Sequence, residues 1–159
     1  MKKYIDAGIS RVILGTAAVT DRDFLLWAVE NYGEKIAVGA DIKDGYVAIK
    51  GWVEKSQITC EDFFSDMEKI GVKTIICTDI SKDGAMQGTN RELYKELSEK
   101  YPMDIVASGG VSSIDDIIAL RTLDLYAAIV GKLLCSTLSP CLFKKHGKYL
   151  FIKRTALFH

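Results

Sequence analysis

The chain has 159 residues, about the size of one ordinary domain, and 48% of them are apolar, enough to build a packed core. Its 21 basic and 21 acidic residues cancel, which argues against a nucleic-acid role driven by bulk charge, although Lys144, Lys145, Lys148, Lys153 and Arg154 crowd into positions 136–159, where no acid stands. No apolar run reaches the length of a membrane span, Met1, Lys2 and Lys3 do not lead into the apolar core of a signal peptide, and Cys60, Cys77, Cys135 and Cys141 show neither metal-binding nor paired spacing; reduced thiols in a soluble cytoplasmic protein are the expectation.

Residues 2–7 read as the end of a helix closed by Gly8, and Arg11 to Leu14 as a short strand ending at Gly15 and Thr16. Asp21 to Tyr32 is helical in pattern, with Trp27 among its core residues and Gly33 as its stop. Ile36 to Ala40 is a second strand ending on Asp41. A longer loop follows from Ile42 to Val53, hairpin-like through Asp44 and Gly45. Thr59 to Ile70 returns to helical spacing, Thr74 to Cys77 is the third strand, and a polar loop with Asp83, Gly84, Gly88 and Thr89 leads to a helix over 91–100. Ile105 to Ala107 is the fourth strand, Ile114 to Leu123 a helix, and Ala127 to Val130 a fifth strand ending at Gly131 and Lys132.

Strands alternating with helices predict a parallel sheet, whose strands are continuously apolar because both faces are covered. The chain also echoes itself: Gly8 to Thr16 resembles Gly71 to Asp79 and, less closely, Asp124 to Lys132. One repeated unit with a small or polar residue at each strand end points to a (β/α) barrel, with a doubly wound sheet as the competitor.

The stretch from Asp104 to Asp116 runs from a strand through Ser108, Gly109 and Gly110 to a helix capped by Ser112 or Ser113. A glycine turn at a helix start suits a phosphate, because backbone N–H groups and the helix dipole both face it; a plain strand-to-helix turn is the alternative. Asp41 is the leading acid or base, since it closes a buried strand before a loop long enough to cover a ligand, although a turn aspartate bound to backbone is the commoner case. Thr78 and Asp79 occupy the matching strand end. Trp52, in a polar loop, could stack on a planar ligand or pack on its own scaffold. No catalytic triad, P-loop or dinucleotide fingerprint is present, and His146 and His159 have no partners that suggest a metal site.

Taken together, Arg11 to Ala18, Asp41 with Val47 to Trp52, Thr78 to Ile80 with Asp83 and Gly84, Gly88 to Asn90, Ala107 to Val111, and Ile129 to Lys132 resemble, in order and spacing, the histidine-biosynthesis isomerase family. The resemblance covers residues 1 to about 134 and runs from the end of that family's third helix through its eighth strand. It implies an incomplete (β/α)8 TIM barrel, strands four to eight, with residues 135–159 as an atypical basic and apolar tail.

The family carries out an Amadori rearrangement without a cofactor, converting a bisphosphorylated aminoaldose ribotide to an aminoketose. By resemblance Asp41 is the proton donor and Thr78 lies near the reacting centre. Ser108, Gly109 and Gly110 bind one phosphate with Gly131 and Lys132, Gly15 and Thr16 line the other phosphate region, and Trp52 covers the substrate. The family's proton-accepting aspartate lies on a first strand that has no counterpart here, so a fragment that self-associates, or that a complementing N-terminal half-barrel completes, is expected. The cyclase subunit of imidazole glycerol phosphate synthase and a non-catalytic phosphate-binding half-barrel are the alternatives; the loop holding Gly51 and Trp52 favours the isomerase over the cyclase.

Overall fold

The longer helices start where short polar side chains take up unpaired N–H groups. A computed structural model describes residues 1–49, 54–82, 88–130, 144–145 and 148–149, with 54–56, 144–145 and 148–149 described by backbone alone. After α1 (Lys2–Asp6) and the five-residue α2 (Thr16–Thr20), Asp21 caps α3 (Arg22–Tyr32) and Thr59 caps α4 (Cys60–Ile70). Asn90 caps α5 (Arg91–Lys100), and Ser113 caps α6 (Ile114–Thr122) by accepting from the Asp116 N–H at 3.1 Å. Each such cap contributes about 1 kcal/mol.

The parallel strands are β1 (Val12–Leu14), β2 (Ile36–Lys43), β5 (Thr74–Asp79), β6 (Asp104–Ser108) and β7 (Ala127–Ala128), side by side in that order. An antiparallel hairpin, β3 (Tyr46–Ile49) and β4 (Glu54–Thr59), joins the far half of β2 through the pairs Asp41–Ala48 and Lys43–Tyr46. A separate pair, β8 (Lys144–Lys145) with β9 (Lys148–Tyr149), completes the described strands. The second strand therefore does not stop at Asp41. It runs on to Lys43 because Asp44 and Gly45, both at positive φ (51° and 79°), make the tight turn whose twist matches paired strands. The internal echo also has a backbone basis. Each copy opens on a left-handed residue, Gly8 (φ 89°), Gly71 (φ 88°) and Asp124 (φ 56°).

Strand register separates two faces of the sheet. Leu14, Val38, Ile75 and Ile105 lie in register on one face, and so do Ala40, Cys77, Ala107 and Ala128 two residues on. All eight share one core with Leu25 and Ala28 of α3, Phe64 and Met67 of α4, Tyr94 and Leu97 of α5, and Leu120 of α6. Ala37, Val106 and Ala127 are also buried, but they alternate to the opposite face and lie outside that core. Helices on one face only distinguish an open portion of a (β/α) barrel from a doubly wound sheet, which needs them on both. Among the described residues β1 and β7 do not pair, so the sheet is open. No described helix is long and apolar enough to cross a membrane.

One expected core residue is misplaced. Trp27 is 45% exposed, because α3 turns Leu25 and Ala28 inward and leaves the indole on its flank. There it stacks on Phe24 at 5.9 Å and meets Tyr32 edge-on at 5.7 Å.

Candidate active site at the strand ends

Three of the sequence candidates form a single row. Asp41 of β2 is in register with Thr78 of β5, and Thr78 with Ser108 of β6. In-register residues of parallel strands project to the same side, here the helix-free one, and with strands about 4.8 Å apart the row spans about 10 Å. All three residues are half-buried. A carboxylate, a hydroxyl and a second hydroxyl beside a glycine turn thus face one volume at the carboxyl ends of the strands. The site extends toward β1, where Leu14 pairs with Val38 and the Cα of Gly15 lies 3.8 Å from the place a Cβ would take on Gly39. Gly15 and Thr16 are exposed there, one step below Asp41.

Asp79 is the neighbour of Thr78 and has a different task. It alternates to the helix side, is 4% exposed, and accepts from the Ser81 N–H (2.9 Å), the Ser81 hydroxyl (2.6 Å) and the Asn90 amide (2.6 Å). Its carboxylate therefore ties the strand end to the start of α5.

The glycine turn is packed rather than open on its Cβ side. Gly109 and Gly110 are buried at φ 91° and 77°. A Cβ on Gly109 would lie 2.6 Å from the carbonyl oxygen of Asp79, and one on Gly110 would lie 2.4 Å from that of Gly88. Both positions need glycine because the main chain of Asp79 and of Gly88 passes so close. Behind the turn, Asp116 is 4% exposed and accepts from the Ser112 N–H at 3.0 Å, the Ser112 hydroxyl at 2.9 Å and Arg91 at 3.0 Å. Burial alone would raise this carboxyl; hydrogen bonds from Ser112, Arg91 and Ser113 outweigh it and hold it at about 2.

Trp52, Gly131 and Lys132 lie outside the described residues. Among those described, no group of three or more His, Cys, Asp or Glu side chains is placed to hold a metal ion. Reasoning from sequence missed Arg91 and the hydroxyl of Tyr94, which is fully buried and reaches the main chain of Cys77 (3.0 Å) and Ser108. A tyrosine on an apolar stripe, which must find a partner for its hydroxyl when buried, was the available signal.

Parallel staves with helices on one face, and a carboxylate, hydroxyls and a glycine turn at the strand ends on the other, define a portion of a (β/α) barrel carrying a polar site. Residues 1–138 match the family of histidine biosynthesis proteins, and the chain belongs to that family. It is similar to proteins named 1-(5-phosphoribosyl)-5-((5-phosphoribosylamino)methylideneamino) imidazole-4-carboxamide isomerase. The one from Listeria welshimeri is 54% identical over 131 residues, 82% of this chain and 55% of the relative. The one from Oceanobacillus iheyensis is 52% identical over 132 residues, 83% and 55%, and the one from Clostridium acetobutylicum is 47% identical over 136 residues, 86% and 57%. The chain thus spans a little over half the length of these relatives.

Proposed function

We propose that the chain supplies the fourth to eighth strands of a histidine-pathway isomerase, which opens and rearranges a bisphosphorylated aminoaldose ribotide to its aminoketose. Residues 1–134 are its barrel portion and 135–159 an appended tail. The row Asp41, Thr78, Ser108 carries this reading, because it aligns an acid with hydroxyls beside a glycine turn on the face where barrels do their chemistry.

The rearrangement removes a proton from C2 of the opened sugar and delivers one to the ring oxygen. Asp41 is the donor in this scheme and Thr78 orients the reacting sugar. Ser108, Gly109 and Gly110, with Gly131 and Lys132, hold one phosphate. Gly15 and Thr16 line the region of the other, and Trp52 covers the substrate. The proton acceptor comes from a complementing N-terminal half-barrel or from a second copy that joins the open sheet, and the cytoplasm is where the enzyme works.

The test is complementation. The chain is mixed with a fragment carrying the first three strands of a relative, and conversion of the ribotide is followed. Restored turnover is expected, and no turnover with any such fragment defeats the proposal. Release of an aminoimidazole by-product with added ammonia would instead assign the chain to cyclase chemistry.

A further inference from the structure

Parallel β5 and β6 are laced by hydrogen bonds that recur every second residue. The Asp104 N–H donates to the carbonyl of Lys73 at 2.8 Å, and with the register of Thr74 on Asp104 and Thr78 on Ser108 the same pattern brings the Ser108 N–H toward the carbonyl of Cys77. The ladder thus runs on to the Thr78–Ser108 pair, and the Tyr94 hydroxyl lies against it there. It accepts from the Ser108 N–H at 3.2 Å and faces the carbonyls of Cys77, at 3.0 Å, and Ser108. Its ring comes from α5 and is fully buried in the helix-side core that also holds Cys77 and Ala107. Burial pushes the phenol far up, against the pull of main-chain groups of Ser108 and Asp79, so the oxygen keeps its proton and remains a donor.

We propose that the Tyr94 hydroxyl is a positioning group for the site: bound to the main chain of both β5 and β6 at the end of their ladder, it fixes the spacing of their carboxyl ends and so aims the Ser108–Gly109–Gly110 turn relative to Thr78. The phenol links the two strands where Thr78 and the turn diverge, and it is bound to main chain on both, so it acts on geometry without touching a ligand. Without the hydroxyl, the Cys77 and Ser108 carbonyls lose the group that ties them together, and the turn loses its fixed offset from Thr78. The phosphate consequence rests on the proposed function above; the effect on the turn does not.

The test compares Tyr94→Phe with Tyr101→Phe. The second variant removes another buried tyrosine hydroxyl, bound to the Ser65 hydroxyl at 3.2 Å and the Glu61 carbonyl at 3.1 Å, away from the strand ends. Amide resonances are recorded with and without ribose 5-phosphate, at a temperature where all three chains are folded. Tyr94→Phe is expected to shift the Ser108, Gly109 and Gly110 amides and to weaken binding of the probe about tenfold, the scale of one lost hydrogen bond. Tyr101→Phe is expected to do neither. Unmoved turn resonances in Tyr94→Phe, unchanged affinity, or equal effects in both variants would overturn the proposal. Loss of the folded state in Tyr94→Phe would overturn it too, since the hydroxyl would then be holding the sheet. If the unaltered chain does not bind the probe, the phosphate reading of the turn falls, and the resonance comparison alone decides the role of Tyr94.

Discussion

The carbonyl oxygen of Gly88 lies 2.4 Å from where a Cβ would stand on Gly110, and the Cβ of Lys82 lies 2.8 Å from the same point. Lys82 and Gly88, between β5 and α5, are therefore seated directly on the turn after β6. Gly110→Ala is expected to cost roughly 2–4 kcal/mol, part from the left-handed backbone and the larger part from the collision. Gly8 supplies the control: its φ is 89° but nothing lies within 4 Å, so Gly8→Ala should cost only about 1 kcal/mol. Urea unfolding of the two variants measures the difference.

Asp116 gives the fold an acid limb. Its carboxyl titrates at about 2 in the folded chain, below the ordinary 3.8, so the unfolded chain binds the proton more tightly. The stabilisation, on the order of 2 kcal/mol, is complete above the unfolded value and lost as pH falls through the folded one. Chemical unfolding between pH 5 and 2 should show this slope (about the range set by the two values), and Asp116→Asn should flatten it.

The two thiols of the described core are protected. Burial, followed by Glu96 and Glu61, pushes Cys60 up to about 12, and burial also drives Cys77 well up. At mildly alkaline pH the thiolate of Cys60 should be roughly a thousandfold scarcer than in the unfolded chain. Iodoacetamide labelling followed by peptide mass mapping is expected to find both residues slow in the native protein and fast in urea.

Asp41 should matter to chemistry and little to folding. Its strand is held by main-chain pairs on both sides that Asp41→Asn leaves in place, so the variant is expected to stay folded and lose no more than about 1–2 kcal/mol. In the complemented enzyme the same substitution should lower turnover by about a hundredfold or more. Thermal unfolding and the ribotide assay separate the two effects.

The parallel strands were legible because runs such as Thr74 to Cys77 are apolar throughout, and the hairpin turn because Asp44 and Gly45 spell its backbone. The short pair β8 and β9 in the tail was not, nor were two elements nearer the site. The helix Thr16–Thr20 holds three β-branched residues in five, and β4 has the polar run Glu54, Lys55, Ser56, Gln57 with no alternation to reveal it. Trp27 was misread because an apolar residue on an amphipathic helix gives no angle to its neighbours. At the site, Asp41, Thr78 and Ser108 could be chosen one at a time as strand ends, but their common row depends on register between strands 30 residues or more apart in sequence. The Tyr94 bridge depends on the same register and was invisible for the same reason.

Besides its parallel pairing with β1, β2 carries two pairings that run in opposite senses: parallel to β5 through Ile42, and antiparallel to β3 from Asp41 onward. A slip of one residue along either neighbour would turn every side chain of the strand over. Here a slip would have to break both alignments at once, and they overlap at Asp41 and Ile42. The Asp41 carboxylate therefore sits where a parallel and an antiparallel ruler agree, and misthreading of this end of the strand during folding is disfavoured by both.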